Sequence, residues 1–375
     1  MKIYKVGGAV RDALLNIPFK DSDWVVVGAR ADDLLSQGFQ QVGKDFPVFL
    51  HPKTHEEYAL ARTERKNGKG YTGFTVHASP EITLEEDLYR RDLTINAMAL
   101  SEEDELIDPY GGQQDLELRI LRHVSPAFAE DPLRVLRVAK FSARLASFNF
   151  TIAPETLSLM KSISQSGELL ALVPERVWQE TSQAIISYSP AVYFKVLQEC
   201  GALKIIFPEL EADEQALFSL TVASKLSNKL SIRFAALCSN LDGPTVLNDF
   251  CKRLRVPNEC SDLARLVLVG HRTCHKAQQA SAEILLELLE HSDAFRKPER
   301  FADFLIASEA NYKGCIENSD YPQAQIMTKV LELANTVKTS DIIEAGFTKE
   351  AIAKELRRQR IELITDQLIE IRRSI

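Results

Sequence analysis

Residues 5–24, KVGGAVRDALLNIPFKDSDW, decide how the N-terminal region folds. They run from an apolar segment into Gly7-Gly8, then an amphipathic AVRDALLN, then two aspartates at Asp21 and Asp23. Glycine pairs mark tight turns, so the first half reads as strand, turn and short helix. Aspartate is a poor strand former, yet both aspartates sit at the head of the β-branched run WVVV. Side chains alternate along a strand, so the two carboxylates point the same way, roughly 6.6 Å apart along the backbone. Converging carboxylates repel unless a cation lies between them. The DxD fits either a turn at a loop end or a pair that holds Mg²⁺ for in-line phosphoryl transfer. A strand–Gly-Gly–helix junction exposes backbone N–H groups that can receive phosphate, and Arg11 adds a cation on the first helical turn. Either feature alone fits a plain turn; together, at short range, they point to a nucleotidyltransferase head.

The chain has 375 residues, 45% hydrophobic and 26% charged. That is the composition of ordinary globular protein, with length for two or three domains. A net charge of −8 argues against a surface coated in positive charge for non-specific nucleic-acid binding, while leaving room for local basic tracks. No stretch approaches the ~20 apolar residues of a membrane helix, and MKIYKVGGAVRD does not read as a secretory signal, so the expected compartment is the cytoplasm. All six cysteines lie in the C-terminal half without a CxxC and are expected to be reduced, mostly buried thiols. His271, Cys274 and His275 form a loose HxxCH, read as a chance helix-face grouping ahead of a metal site.

Alternating apolar runs (KIYKV, DWVVVG, FPVFLHP, EEYALAR) interleave with helical stretches through the first hundred or so residues. Beyond about residue 118, apolar positions recur every three or four residues, broken by Pro208, Pro244, Pro257, Pro298 and Pro322. The expected architecture is a mixed α/β head over 1–117, a helical neck over 118–200 and a helical body and tail over 201–375.

Residues 90–97, RRDLTINA, place Arg91, Asp92 and Asn96 within one turn or so, a set able to bind triphosphate and ribose. Before it, RTERKNGKGYTGF (62–74) offers three glycines and several basic residues, as a closing loop or a plain solvated one. In EDPLRVLRVAKFSAR (130–144), Arg134, Arg137, Lys140 and Arg144 fall within about a third of a helix circumference. Asp131 lies one turn before Arg134, close enough for a side-chain pair. The bland alternative is a solvated stripe with one salt bridge. The sharper one is a planar Asp–Arg pair matching the Watson–Crick edges of C and A, whose exocyclic amines suit a carboxylate and whose ring nitrogens accept from arginine.

GGAVRD…DSD, RRDLTINA, DPYGGQQDL, EDPLRVLR and PERVWQE resemble, in order and spacing, the motifs of class II tRNA nucleotidyltransferases. These are the CCA-adding enzymes, a branch of the DNA polymerase β-like superfamily; the wider N-terminal stretch resembles the gammaproteobacterial form. The resemblance covers about residues 1–200. It implies addition of C, C and A to the 3′ end of tRNA from CTP and ATP, with Asp21 and Asp23 binding Mg²⁺. It puts Gly8 and Arg11 at the triphosphate, and Arg91, Asp92 and Asn96 at triphosphate and ribose. Asp131 and Arg134 would be the amino-acid template, supported by Arg137 and Lys140, the latter where close relatives typically carry arginine. Asp108 and Gly111 would form a hinge-like segment, and Glu175, Arg176 and Glu180 would brace the neck. Relatives of this kind carry a His-Asp metal site in the body, but here RFAALCSNLDGP (233–244) puts Ser239-Asn240 at that place. No phosphohydrolase activity is therefore expected, and the helical body, with KELRRQR (354–360) as one candidate contact, is expected to grip tRNA. Other functions compatible with the head are an A-only enzyme, a bacterial poly(A) polymerase, and an inactive tRNA-binding protein. Monomer and dimer are both compatible with the sequence.

Overall fold

The structure is a computed structural model describing residues 1–19, 22–42, 48–66, 74–210, 214–316 and 319–375, with backbone alone for 64–66 and 74–76. Asp21 and most of the glycine-rich stretch, residues 67–73, lie outside the described residues. The chain divides into two compact units, Met1–Ala184 with Val192–Ile206, and Ile185–Ala191 with Phe207–Ile375.

The first unit opens with β1 (Lys2–Val6), α1 (Gly8–Leu14), β2 (Asp23–Val27) and α2 (Ala31–Ser36). It continues through β3 (Gln40–Val42), β4 (Val48–Leu50), β5 (Glu57–Leu60), β6 (Arg62–Lys66) and β7 (Phe74–Ala78). Next come α3 (Leu84–Tyr89), β8 (Ala99–Leu100), β9 (Leu106–Ile107), α4 (Gly112–Leu118) and β10 (Ile120–Leu121). The helical part follows with α5 (Leu133–Arg144), β11 (Thr151–Ile152), α6 (Pro154–Gln165), α7 (Pro174–Ile185), α8 (Pro190–Glu199) and α9 (Leu203–Ile206). Seven strands form one mixed sheet in the order β3-β4-β5-β2-β1-β8-β9, in which only β2 and β5 pair in parallel.

The run WVVV explains why β2 is central. Val25 packs with Val6, Leu88 and Ala99 on one face of the sheet, while Val26 packs with Leu34, Phe49 and Leu60 on the other. A strand covered on both faces reads as continuous apolar sequence rather than alternation. Gly7 turns the chain from β1 into α1 with φ +70, a conformation that costs glycine nothing. A Cβ there would also lie 2.8 Å from the Arg91 guanidinium, so the turn and RRDLTINA need each other's shape.

The second unit comprises α10 (Glu214–Leu226), α11 (Leu230–Leu237), α12 (Pro244–Arg253), α13 (Asn258–His275) and α14 (Ala282–His291). It ends with α15 (Pro298–Cys315), α16 (Pro322–Ala334), α17 (Thr339–Glu344) and α18 (Glu350–Arg373). Small residues Ala223, Ala236 and Ala310 let α10, α11 and α15 approach closely. At the α10–α15 crossing, a Cβ on Gly314 would lie 2.8 Å from Ser219 N and 2.9 Å from its Cα. Helix α18 is tied down by arginines on helix ends. Arg360 donates to Ala334 O at 3.1 Å, at the end of α16, and lies 3.9 Å over the Phe295 ring. Arg372 donates to Ala277 O at 2.8 Å and to Ala280 O, just past α13. These contacts join a cation to the negative end of a helix dipole.

Ser219 backbone atoms as well as its Oγ block a Cβ at Gly314, so a side-chain rotation alone does not make room. We expect Gly314→Ala to destabilise the second unit by about 1–3 kcal/mol, as overpacked cores do, lowering its urea midpoint.

Candidate active site and its charge network

Register fixes the position of the acid that opens β2. Asp23 pairs across β1 with Val6, the residue before Gly7-Gly8, and lies in parallel register with Glu57 on β5. Partners in parallel register share a face, so the exposed carboxylates of Asp23 and Glu57 project on the same side of the sheet. This is the side where Val25 meets Leu88 and Ala97, close to RRDLTINA. Glu57 was not singled out by sequence; only strand pairing brings it to Asp23.

Behind the glycine turn, the first unit holds a continuous chain of polar contacts. Asp12 Oδ1 accepts from Arg11 Nε and Nη2 at 2.9 and 2.8 Å, and Arg11 Nη1 donates to Asn96 Oδ1 at 2.5 Å. Asn96 Nδ2 donates to Asp92 Oδ1 at 3.0 Å, while Asp92 Oδ2 accepts from Arg137 Nε at 2.7 Å. Arg137 then faces Glu180 at 3.8 Å, and Glu180 holds Lys140 at 2.6 Å. Arg144 returns from the end of α5 to Asp12 Oδ2 at 2.6 Å. The ring of Phe141 lies at the centre, 5.0 Å from the Arg11 guanidinium, 5.7 Å from Arg137 and 5.4 Å from Lys140. A ring's negative face stabilises cations that have lost their water.

Burial and charge oppose each other at Arg11, Asp92, Arg137 and Lys140. At Asp92, desolvation pushes the carboxyl upward, but the Arg137 charge and bonds from Asn96 and Arg137 win and hold it well below the usual range. The same contact raises Arg137, with Asp92 the main cause. Burial lowers Lys140 against the pull of Glu180, and lowers Arg11 against Asp12. In RRDLTINA, both arginines converge on buried Asp87, Arg90 at 3.0 Å and Arg91 at 3.3 Å. Arg91 Nη1 also donates to Asn96 O at 3.4 Å.

Three sets of expected site residues have partners within the protein itself. Arg11, expected at the triphosphate, is only 1% exposed, with its donors on Asp12 and Asn96. The expected Asp131–Arg134 side-chain pair takes other partners. Asp131 sits just before α5, where its carboxylate accepts from Leu133 N at 3.0 Å and Arg176 Nη2 at 3.0 Å. Arg134 donates to the carbonyls of Ala127 at 2.8 Å and Arg90 at 2.5 Å. Lys140, expected beside the nucleotide, is bound to Glu180 and to Gln183 Oε1 at 2.9 Å on α7. The basic face of α5 is thus no solvated stripe, since Arg137, Lys140 and Arg144 all meet acids from other elements. Gly8 lies open at the start of α1, with the Arg11 guanidinium 3.5 Å from where a Cβ would be. Asp108 caps α4 through Gly112 N at 2.7 Å and Gln113 N at 2.8 Å, with Gly111 at φ +74 before it.

In the second unit, Ser239 and Asn240 meet an amide. Asn311 Nδ2 donates to Ser239 Oγ at 2.8 Å and to Asn240 Oδ1 at 3.3 Å, while Asn311 Oδ1 faces His275 Nε2 at 3.0 Å. His275 Nδ1 meets Tyr321 OH at 2.9 Å, and Tyr321 donates to Cys274 Sγ at 3.3 Å. Among the described residues no group of three or more His, Cys, Asp or Glu is placed to hold a metal ion. Cys274 and His275 of the HxxCH belong to this network, while His271 Nδ1 meets Val267 O at 2.7 Å. Five of the six cysteines are buried, Cys315 being the exposed one, and burial pushes the Cys251 thiol up to about 11 and Cys274 to about 12.

Asp12→Asn leaves the buried Arg11 guanidinium without its carboxylate, so the first unit should lose about 3–5 kcal/mol in denaturant titrations. Because its folded value is depressed, Asp92 contributes stability fully above pH about 4 and loses it as pH falls toward the folded value. An Asp92→Asn variant should therefore be less stable at neutral pH and show a flatter acid-unfolding profile below pH about 4, measured by circular dichroism.

Residues 3–122 match the poly A polymerase head domain, and residues 149–214 match the probable RNA- and SrmB-binding site of polymerase A. Solved structures share the fold across nearly the whole chain. A CCA-adding enzyme in complex with ATP aligns with a TM-score of 0.73 at 20% identity, over 96% of this chain and 85% of that one. The Bacillus stearothermophilus CCA-adding enzyme in complex with CTP gives 0.71 at 24%, over 98% and 89%. A tRNA nucleotidyltransferase complexed with a primer tRNA and an incoming ATP analogue gives 0.66 at 24%, over 90% and 96%. No described helix is long and apolar enough to cross a membrane. The chain thus carries a poly A polymerase head domain over residues 3–122 and shares its overall fold with these solved tRNA-processing structures.

Proposed function

We propose that this protein adds C, C and A, without a nucleic-acid template, to the 3′ end of tRNA in the cytoplasm, using CTP and ATP. The observation that carries the proposal is the polar chain Asp12–Arg11–Asn96–Asp92–Arg137–Glu180–Lys140, which joins the GGAVRD, RRDLTINA, EDPLRVLR and PERVWQE segments. Such a network fixes side chains before substrate arrives, which favours transition-state over ground-state binding.

Asp23 and Glu57, exposed on one face of adjacent strands, are a hard-oxygen donor set that suits Mg²⁺, and Asp21 would complete it. When bound there, Mg²⁺ supplies charge neutralisation at the reacting phosphate and acidifies the primer 3′-hydroxyl. The protein's own groups bind and orient. Gly8 admits the triphosphate, and Arg91 reaches it from above Gly7. Asp92 and Asn96 meet the ribose hydroxyls, with Arg137 holding Asp92 ionised. Asp131 and Arg134 select the base by exchanging their present partners, Arg176 and the carbonyls of Ala127 and Arg90, for the Watson–Crick edge of C or A. Lys140 serves through Glu180, so the missing arginine fork at that position costs little. The neutral Ser239–Asn240–Asn311 network supports the absence of phosphohydrolase activity, since amide and hydroxyl oxygens already bonded to one another are poor ligands for a catalytic metal.

Purified protein given tRNA ending at the discriminator base, at C and at CC should extend each to CCA with CTP plus ATP, and then stop. Growth from the CC end alone would indicate an A-only enzyme, and long A tails a poly(A) polymerase. Asp21→Ala and Asp23→Ala should each remove all products while RNA binding persists, separating an enzyme from a binding protein. Asp131→Ala should relax choice among the four nucleotides, read as the ratio of kcat/KM for CTP over UTP. Hydrolysis of 2′,3′-cyclic nucleotides with added divalent metals should stay at background.

A further inference from the structure

The second unit buries one arginine that no acid accompanies. Arg233 on α11 is 3% exposed, and all five of its N–H groups are used. Nη1 donates to Ile185 O at 3.0 Å and Ser187 O at 2.9 Å, at and just beyond the end of α7. Nε donates to Ser227 O at 2.7 Å, and Nη2 to Ser224 O at 3.0 Å and Asn228 Oδ1 at 3.1 Å, around the end of α10. One guanidinium therefore fastens two helix ends together and fixes both following loops. Burial lowers its proton affinity, and no charged group contributes to that shift.

The loop after α7 and the last turn of α10 carry an unusual surface. Tyr188 is 75% exposed, Ile186 50% and Leu226 39%, with Lys225 and Lys229 exposed beside them in sequence. Lys229 is paired with Asp303 at 2.8 Å, with Glu299 and Glu259 also acting on it, so among the described residues Lys225 is the exposed lysine here outside an ion pair. An exposed aromatic in a fixed loop, with an exposed lysine on the neighbouring helix end, suits a polyanion with flat faces more than an apolar protein surface. Tyr188 also lies within residues 149–214, the stretch that matches an RNA-binding family model.

We infer that the Arg233-fastened loops form an RNA contact in which the Tyr188 ring stacks on a base or helix end of the tRNA while Lys225 meets its phosphates. This rests on the proposal that tRNA is the substrate. It adds a grip separate from the residues that handle CTP and ATP. Such a contact sets affinity for RNA, not the chemistry of nucleotide addition.

The test uses the full chain and measures RNA affinity directly, by filter binding to a tRNA transcript ending at the discriminator base, alongside the KM for tRNA and for CTP. Tyr188→Ala should weaken tRNA binding roughly 5- to 100-fold, the range for loss of one stacked aromatic, and raise the KM for tRNA with that for CTP unchanged. Tyr188→Trp should restore affinity, and its indole emission should be quenched by the transcript. Lys225→Gln should reduce the slope of log affinity against log salt by about 1. Unchanged tRNA affinity in a folded Tyr188→Ala protein would overturn the inference, including the case where the loop instead serves a protein partner. If the wild-type protein binds tRNA but adds no nucleotide, the proposed activity falls, while the Tyr188 comparison still decides this contact.

Discussion

The first unit depends on keeping Arg11 and Asp92 charged in its interior. Neither group is stable there alone, because an isolated buried charge costs several kcal/mol. Each is satisfied by partners from elsewhere in the chain: Asp12 and Asn96 for Arg11, Asn96 and Arg137 for Asp92. The arrangement closes through Arg144, which brings the far end of α5 back to Asp12. Sheet, glycine turn and helical part must therefore be in place together. A site built this way resists small displacements, which is what positioning a nucleotide for transfer requires.

The second unit solves a different problem with the same residue type. Arg233, Arg360 and Arg372 each donate to carbonyls near helix ends. Last-turn carbonyls lack partners within their own helix, and a guanidinium fork can serve several at once. The arginines of KELRRQR are largely committed inside the unit, Arg357 to Glu290, Arg358 to Glu355 and Glu362, and Arg360 to Ala334. A cluster of basic residues in sequence is thus not by itself a nucleic-acid surface. At the place of the His-Asp pair expected from relatives, hydroxyl and amide groups satisfy one another through Asn311 and His275.

The sequence alone specified a mixed sheet followed by helices, because alternation in KIYKV, the apolar run WVVV and the three-to-four spacing beyond residue 118 are local signals of backbone geometry. It also specified which residue types were available at each motif, Gly7-Gly8 above all, since φ +70 at Gly7 is a property of the backbone itself. Tertiary structure alone decided partnership. Whether Arg134 faces Asp131 or main-chain carbonyls, whether Glu57 stands beside Asp23, and whether Arg11 is inside or outside depend on contacts between positions tens of residues apart. A buried charge takes whichever partner packing delivers, and helical spacing fixes only the face from which it reaches. That is why Lys140 and Arg144, legible only as a basic stripe, became the contacts that hold α5 to α7 and to Asp12.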